Sequence, residues 1–364
     1  MNIGFDAKRY FNNASGLGNY SRTLLGDLAS NASKLDSFTL FYPGKKQSNF
    51  DLQSCQNCRQ VSLYPMGNIR RVLGFKRALR QNNVDIYHGL SNELPLLIRH
   101  AGIPSVVTIH DVIFRRHPED YPIFDRQIYD IKTALALKRA TQIVAISHAT
   151  QRDLIYYYNL PAERIKVIHQ SVHPVFRGTK TPERPNRPDK VPKDYLLSVG
   201  TLSPRKNQIR LLEALALIPK DNRPFVVFIG RGSDRYLQSM KSLIDRHQLG
   251  LYTAILSDVS TSALPGWYRH AIASVYLSLF EGFGLPVIES LYSGTPVIAS
   301  DIPSIREAAG PCANLVNPFE VEDIKKALEQ PPALDQDKCT LHLEPFDPKI
   351  TAHKWQNLYK TLVG

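Results

Sequence analysis

Short apolar segments of strand length alternate with helical segments along almost the whole chain of 364 residues. The strand-length segments are residues 1–7, 38–43, 84–89, 104–111, 141–147, 165–172, 195–201, 224–230, 252–259, 273–279, 295–301 and 313–318. Alternation of this kind is typical of βαβ units, in which a helix returns the chain so that successive strands run parallel. The pattern predicts an α/β protein with two series of parallel strands.

The two series are separated by residues 177–194, a segment with several prolines, many charges and no periodicity, which is typical of a linker. We therefore predict two Rossmann-like, doubly wound domains that face each other across a cleft. The first covers residues 1–178 and the second residues 179–345. The last segment, 346–364, is a helix with apolar residues along one side, and we predict that it packs back toward the N-terminal domain.

The chain carries a formal net charge of +12 and has a pI of about 9.4, which favours partners that bear phosphate groups: nucleotides, anionic lipid or nucleic acid. No segment approaches the ~18 consecutive apolar residues of a membrane span. The N-terminus also lacks the apolar core of a signal peptide. These features predict a cytoplasmic protein.

Four cysteines are too few for a disulfide framework in a chain of this length. Cys55 and Cys58 form a C-x2-C pair, but a zinc site needs a second close pair, and Cys312 and Cys339 are far apart. We therefore predict free thiols and no metal site.

The segment SLFEGFGLPVIESLYSGTPVIASD, residues 278–301, follows a predicted strand, where ligands of doubly wound sheets bind. Gly282 and Gly284 let backbone approach a ligand closely, and the N-terminus of the helix that follows suits a phosphate. Glu289, one turn into that helix, can accept two hydrogen bonds from a ribose diol. Glu281 can reach the group beyond the phosphates. The segment predicts binding of a nucleotide diphosphate that carries a transferable group.

EGFGLPVIE resembles the E-x7-E signature of retaining nucleotide-sugar glycosyltransferases of the GT-B architecture, glycosyltransferase family 4. Further motifs in the family's order are NNASGLGNYSRTLLGDLA (12–29), TIHD (108–111), LLSVGTLSPRKNQIRLLEAL (196–215), FIGRG (228–232) and SDVSTSALPGWYRHA (257–271). The resemblance covers nearly the whole chain. It implies a retaining hexosyltransferase that uses a nucleotide sugar and needs no metal or other cofactor. The GTLSPRKN form tilts the donor toward GDP-mannose without excluding UDP-hexoses.

The resemblance also assigns residues to the reaction. Arg205 and Lys206 offer cations for the diphosphate and its developing charge, and the helix that begins near Asn19 points its N-terminus at the donor. The expected catalytic residues are Glu281, His110, Arg205 and Lys206. The expected donor-binding residues are Gly16, Gly18, Gly200, Arg205, Lys206, Gly230, Val259, Glu281, Gly282, Phe283, Gly284, Leu285 and Glu289. Asp111, His88 and Ser147 are expected to line the cleft. The alternative for His110 is a core histidine whose partners are backbone groups.

The acceptor is expected to be a glycan or a lipid-linked glycan. In the segment 68–81, four basic residues share one helical face beside apolar residues. Such a helix can rest on an anionic membrane, which predicts a peripheral location on the inner face of the cell membrane. It can equally pack its apolar side into the N-terminal domain.

Three other functions remain open. A nucleotide-sugar epimerase or a phosphorylase could use the same pair of domains, although the sequence has no recognisable acid/base or pyridoxal phosphate motif for them. A non-catalytic nucleotide-binding or nucleic-acid-binding protein is the third. No segment interleaves aromatic and basic residues as a stacking platform requires, so we do not expect nucleic acid as a partner.

Overall fold

The computed structural model describes residues 1–13, 16–33, 36–42, 57–63, 68–178, 183 and 185–364, with residues 68–74 as backbone. The chain forms two compact units. Unit 1 comprises Met1–Ser171 together with Pro345–Gly364, and unit 2 comprises Val172–Glu344. Residues 172–178 therefore belong to unit 2, where Phe176 is buried.

The sheet of unit 1 has seven strands in the order β3-β2-β1-β4-β5-β6-β7, all pairs of which are parallel. The strands are β1 (Asn2–Asp6), β2 (Ser37–Tyr42), β3 (Cys58–Ser62), β4 (Ile86–Gly89), β5 (Ser105–Ile109), β6 (Gln142–Ala145) and β7 (Ile165–Val167). The helices before unit 2 are α1 (Lys8–Asn12), α2 (Gly16–Ser30), α3 (Asn68–Gln81), α4 (Ile113–Arg116), α5 (Ile123–Arg139) and α6 (His148–Tyr158). The apolar pattern did not predict β3, because this edge strand is largely exposed and mostly polar.

The sheet of unit 2 has six parallel strands in the order β10-β9-β8-β11-β12-β13. The strands are β8 (Leu196–Val199), β9 (Val226–Ile229), β10 (Thr253–Leu256), β11 (Ala273–Tyr276), β12 (Val297–Ser300) and β13 (Ala313–Val316). The helices are α7 (Gln208–Leu217), α8 (Asp234–Arg246), α9 (Leu264–Arg269), α10 (Leu285–Tyr292), α11 (Pro303–Ala309), α12 (Val321–Glu329) and α13 (Gln336–Leu343). The strand order reverses between β8 and β11, and such a switch point is where ligands of doubly wound sheets bind. Both units thus have the predicted doubly wound, Rossmann-like fold.

The last helix, α14 (Pro348–Val363), packs into the core of unit 1, which confirms the prediction that it returns to the N-terminal domain. Trp355 and Tyr359 are buried there together with Phe5 of β1. The Trp355 ring centroid lies 4.6 Å from that of His88, and the Tyr359 hydroxyl lies 2.7 Å from His88 Nδ1. The helix completes one face of the first sheet.

Helix α3 packs the described part of its apolar side into the same unit. Phe75 and Leu79 are buried, and the Phe75 ring centroid lies 5.0 Å from that of Tyr87. Arg77 and Arg80 are exposed. This packing corresponds to the second interpretation of residues 68–81, in which the apolar side of the helix packs into the N-terminal domain. Residues 69–72, which also belong to the predicted amphipathic helix, have side chains that are not among those described.

Cys312 and Cys339 are buried free thiols, as predicted. Cys58 is disulfide-bonded, so the prediction of a free thiol is wrong at this residue. The sequence argument tested the C-x2-C pair only as a zinc site and did not consider that this spacing also suits a disulfide. Cys55 lies outside the described residues. Across the described ranges, no helix is both long and apolar enough to cross a bilayer.

We expect Trp355→Ala to lower the free energy of unfolding by about 3 to 5 kcal/mol, because it removes a fully buried aromatic side chain between α14 and the first sheet. Urea unfolding followed by circular dichroism measures the change, and the fluorescence of Trp267 reports on unit 2 in the same variant. Lys354→Ala, at the exposed neighbouring position, is the control. Equal stability of the two variants would show that α14 is not needed by the core.

Candidate functional site

The loops after β8 and β9 approach each other backbone to backbone at the carboxyl edge of the second sheet. A Cβ atom built on Gly230 would lie 1.9 Å from the carbonyl oxygen of Gly200, and one on Gly232 would lie 2.5 Å from that of Leu202. Side chains are excluded at these positions by contact with main-chain atoms, which cannot move away cheaply. Gly230 and Gly232 therefore have a packing reason to be glycine. An added Cβ atom on Gly200 would meet only Lys206 Cε at 3.9 Å, and glycine is favoured there by the φ of +143°.

Glu281, in the loop after β11, forms the centre of a charged cluster. Its Oε1 lies 2.7 Å from Arg205 Nη1 and 2.6 Å from Lys206 Nζ. Arg205 also donates to the carbonyl oxygen of Phe280 at 3.1 Å. Arg205 and Lys206 end the loop after β8, so the cluster joins the two strands that flank the switch point. The structure thus brings three of the predicted catalytic residues together.

The cluster is poorly exposed, with 13% of the Glu281 side chain and 11% of the Lys206 side chain accessible. Burial raises the pKa of Glu281, but the charges of Lys206 and Arg205 outweigh it and lower the pKa to about 2. Burial also lowers the pKa of Lys206, against the attraction of Glu281. With both cations charged, two positive groups share one carboxylate, which leaves a net charge of +1 to attract an anion.

Helix α10 begins directly after this cluster. Its N-cap is Gly284, which has no side chain to cap the first N–H groups. Gly284 has φ +143°, and a Cβ atom there would lie 2.9 Å from Ile305 Cδ1. Gly282 and Phe283 are buried, and Leu285 is half-buried as the first helical residue. The loop thereby presents a helix N-terminus beside a positive cluster, an arrangement suited to phosphate.

Glu289 lies one turn into α10, and no basic side chain among the described residues forms an ion pair with it. The Tyr268 hydroxyl donates to Glu289 Oε2 across 3.4 Å. Burial raises the pKa of Glu289 to about 7, while the Tyr268 hydrogen bond and the charge of Lys206 act in the opposite direction. The two glutamates of the E-x7-E segment therefore differ: Glu281 is ionised at every ordinary pH, and Glu289 titrates near neutrality. Val259, half-buried, follows β10 at the same edge of the sheet.

The glycine-rich segment of unit 1 differs from the prediction in one respect. Helix α2 begins at Gly16, not near Asn19, so both predicted glycines lie in its first turn. A Cβ atom on Gly18 would lie 1.8 Å from the carbonyl oxygen of Asn13, whereas one on Gly16 would meet no atom of the described residues within 4 Å. The close approach that requires Gly18 is therefore an approach to Asn13.

His110 follows β5 and has hydrogen-bond partners on both ring nitrogens. Its Nε2 lies 2.8 Å from the Leu90 carbonyl oxygen, and its Nδ1 lies 3.1 Å from Gln170 Nε2. Burial lowers the pKa of His110 to about 4, so the ring is neutral, with Nε2–H donating and Nδ1 accepting. Asp111, the next residue, accepts a hydrogen bond from the backbone N–H of Ile113 at 3.3 Å.

The two other predicted residues of unit 1 lie in its interior. His88 is fully buried, and its Nε2 lies 2.8 Å from Thr108 Oγ1. Burial lowers its pKa to about 3, so it is neutral. Ser147 is also fully buried, and it caps α6 by accepting a hydrogen bond from the Thr150 N–H at 2.9 Å. These contacts give both residues a role in the fold.

Sequence reasoning missed two tyrosines beside the glutamates. Lys206 Nζ donates to the Tyr276 hydroxyl and lies 4.6 Å from the centroid of its ring. Tyr268 is the partner of Glu289. Tyr276 belongs to a strand and Tyr268 to α9, so both read as core residues in the sequence. Of the two, only Tyr276 could have been recognised as a candidate site residue from the sequence, because it lies at the carboxyl end of a strand next to the switch point.

Comparison with known families gives two matches that together span most of the chain. Residues 14–175 match the model described as Glycosyltransferase Family 4, and residues 179–335 match the model described as Glycosyl transferases group 1. The first match covers the glycine-rich segment and His110. The second covers Arg205, Lys206 and both glutamates.

Individual relatives and solved structures agree with these matches. The chain is 30% identical over 260 residues to O-antigen chain mannosyltransferase B of Escherichia coli, covering 70% of this chain and 66% of that protein. It is 28% identical to O-antigen chain mannosyltransferase RfbU of Salmonella typhimurium, covering 63% and 62% of the two chains. The chain thus spans just under two thirds of the length of these relatives. In fold it is similar to HepE of Anabaena in complex with UDP and glucose, at 19% identity and a TM-score of 0.74 over the full length of both chains.

We expect the stability of unit 2 to fall as pH rises from 5 to 8, because Glu289 must lose a proton that its folded environment retains. The pKa of Glu289 is about 7 in the folded protein and 4.5 ordinarily. The protonated Glu289 therefore contributes its full stabilisation of the folded state below pH 4.5, and this contribution is lost as the pH rises through 7. The loss, about 1 to 3 kcal/mol relative to Glu289→Gln, is measured by urea unfolding at several pH values. Glu322→Gln, at an exposed glutamate of unit 2, is the control. A pH-independent difference between wild type and Glu289→Gln would contradict the raised pKa.

Proposed function

Since this chain belongs to the family 4 glycosyltransferases, we propose that it transfers a hexose, with mannose favoured, from a nucleotide diphosphate sugar to a glycan or lipid-linked glycan acceptor. We further propose that the reaction retains the anomeric configuration and requires no metal. The observation that carries this proposal is the cluster of Glu281, Arg205 and Lys206 beside the N-terminus of α10, at the switch point of the second sheet.

The cluster has the chemistry that a diphosphate needs. Arg205 and Lys206 supply two cations, and the α10 N-terminus supplies backbone N–H groups with a favourable dipole. As the bond between sugar and diphosphate breaks, negative charge grows on the leaving phosphate, and groups already held in place stabilise it. In this mechanism the side-chain cations do the work of a divalent metal. Transfer activity should therefore persist in the presence of a chelator.

Glu281 is proposed to hold the transferred sugar. With a pKa of about 2 it stays ionised, so it can accept hydrogen bonds from sugar hydroxyls but cannot serve as a general acid near neutral pH. Its ties to Arg205 and Lys206 fix its position next to the diphosphate site. In the proposed reaction the acceptor attacks from the face that the nucleotide leaves, and the leaving phosphate takes the acceptor's proton.

Glu289 is proposed to bind the ribose of the donor. An ionised carboxylate can accept two hydrogen bonds from a vicinal diol, and Glu289 lies one turn into the helix that begins at the diphosphate site. With a pKa of about 7, part of the population is protonated at neutral pH. Donor affinity is therefore expected to rise between pH 6 and 8 in the wild type and to lose that dependence in Glu289→Gln.

His110 is the proposed sugar contact from unit 1. Its Nε2–H donates to the Leu90 carbonyl oxygen. The ring nitrogen that can change its hydrogen-bond partner is therefore Nδ1, which accepts from the Gln170 amide. A sugar hydroxyl could replace that amide as the donor to Nδ1. The neutral ring is the state that accepts such a bond.

The donor is proposed to be GDP-mannose. The two relatives named above are mannosyltransferases, which favours mannose. The structure of HepE contains UDP and glucose, so UDP-glucose is the competing donor.

We expect Glu281→Gln to lower kcat by about 10² to 10³ while donor affinity stays equal or increases, because the variant removes a transition-state contact and frees both cations. Glu289→Ala should instead weaken donor binding by about 10-fold with a smaller effect on kcat. Initial rates together with direct titration of the donor separate the two effects. Glu322→Ala, at an exposed glutamate of the same unit, should change neither. Equal losses of donor affinity in the first two variants would overturn these roles.

We expect a nucleotide sugar to raise the melting temperature of the wild type more than that of Glu289→Ala, since a ligand that binds only the folded state stabilises it by mass action and weaker binding reduces that stabilisation. A panel of GDP-mannose, UDP-glucose and the free diphosphates, with and without EDTA, tests donor and metal together. Stabilisation by GDP-mannose that survives EDTA supports the proposal. Stabilisation by UDP-glucose alone contradicts the donor, and loss of all stabilisation in EDTA contradicts metal independence.

A further inference from the structure

Helix α5 carries a group of large apolar side chains on the surface of unit 1. Phe124 is 80% exposed, Ile123 62%, Ile131 59% and Ile128 50%. Leu96, in the loop after β4, is also 50% exposed. Together these five residues are called the α5 apolar surface below. Exposed apolar residues that occur in a group mark an interaction site more often than single ones do.

The α5 apolar surface is not the side of the helix that the core uses. Phe124, Ile128 and Ile131 have the spacing i, i+4, i+7, which places them in one stripe. The core-facing residues, Thr133 and Leu137, lie on the opposite side of the helix and are buried against the first sheet. One helix therefore has two apolar sides, and only one of them is explained by folding.

The charge of the protein is concentrated in the same unit. Unit 1 contains 25 Lys and Arg against 14 Asp and Glu, a net charge of +11, whereas unit 2 contains 20 against 19. Lys132 and Lys138 are exposed on the second half of α5, and Arg139 ends the helix. Exposed acids, Asp120 and Asp125, lie at its other end. A basic unit with an exposed apolar stripe has the two attractions that bind proteins to anionic membranes.

We propose that the α5 apolar surface is a membrane-contact site, at which Phe124, Ile128 and Ile131 enter the interface of an anionic bilayer. The net charge of unit 1 draws it to the bilayer, and the apolar side chains hold it there. A second copy of the chain is the less favourable occupant, because pairing through this surface would bring two units of charge +11 together.

This assignment differs from the sequence-based hypothesis, in which α3 was the helix that either rests on a membrane or packs into the N-terminal domain. Phe75 and Leu79 of α3 are buried in unit 1 and cannot enter a bilayer without unfolding it. Arg77 and Arg80 contribute charge only. The apolar part of the membrane contact therefore belongs to α5.

A cavity of about 450 Å³ adjoins the surface and shares Leu96 with it. Lys132 and Leu135 of α5 also line this cavity, as do the carboxylates of Asp6 and Glu93. A bilayer against α5 would bring lipid headgroups next to these polar groups. For a lipid-linked acceptor this places the glycan beside the cavity, a point that rests on the proposed function, whereas the lipid contact itself does not.

Vesicle co-sedimentation of the full chain tests the proposal. We expect the wild type to bind vesicles of phosphatidylglycerol and phosphatidylcholine at low salt, and to bind phosphatidylcholine alone more weakly. Phe124→Ser/Ile128→Ser/Ile131→Ser should reduce partitioning into the anionic vesicles by at least about tenfold. Leu251→Ser/Phe319→Ser/Leu341→Ser, which changes equally exposed apolar residues of unit 2, should partition like the wild type.

Several results would overturn the proposal: no binding by the wild type, equal binding by the α5 variant, or a larger loss in Arg77→Gln/Arg80→Gln than in the α5 variant. Conversion of a wild-type dimer into a monomer by the α5 substitutions would identify a second copy as the occupant. Because the changed side chains are exposed, melting temperatures should remain equal, which excludes misfolding as the cause. Stabilisation by a nucleotide sugar should also be unchanged in the α5 variant. The vesicle assay needs neither donor nor acceptor, so its failure is distinguishable from failure of the proposed activity.

Discussion

The sharing of one carboxylate by two cations is the interaction on which the candidate site depends. Glu281 holds Arg205 and Lys206 within 2.7 Å, and Lys206 is nearly buried. Without that carboxylate, the poorly hydrated Lys206 and the adjacent Arg205 would repel each other with no opposite charge to offset the repulsion. The loops after β8 and β11 must therefore stay close, and the sheet meets this need because these two strands are neighbours at its switch point. The same arrangement leaves one uncompensated positive charge beside a helix N-terminus.

The E-x7-E spacing has different consequences for its two ends. Glu281 lies before α10 and faces the cations, whereas Glu289 lies within α10 and faces Tyr268. One environment lowers a carboxyl pKa to about 2, and the other raises it to about 7. A single short segment thus supplies a permanent anion and a group that titrates near neutrality. Because the two carboxyl groups differ in charge near neutral pH, different roles are proposed for the two residues.

Apolar periodicity predicted the two sheets, and glycine positions predicted the helix N-terminus after β11, because both are local signals. Arg205 and Lys206 of the charged cluster came instead from the resemblance to a known family, since two adjacent basic residues in a loop are ordinarily a solvated surface feature. The sequence did not predict β3, whose residues are polar because the strand lies at an exposed edge. It also did not predict that His88 lies in the core against Trp355, since the partner is far away in the sequence. Tyr268 and Tyr276 were missed for a related reason. Their roles depend on which residue faces them, and facing residues come from other elements.

The contrast between α3 and α5 shows what a periodic pattern leaves undetermined. Both helices combine apolar and basic residues, and α3 has the more regular basic face in the sequence. Its described apolar residues, Phe75, Ala78 and Leu79, are nevertheless buried in the core, whereas α5 has enough apolar residues for a core-facing side and an exposed stripe. The decisive quantity is therefore the apolar surface that remains after folding, which only the packing of the neighbouring strands reveals. Together with the net charge of the same unit, that remaining surface supports the proposal that unit 1 contacts a membrane, whereas the charged cluster supports the proposal that unit 2 binds the nucleotide.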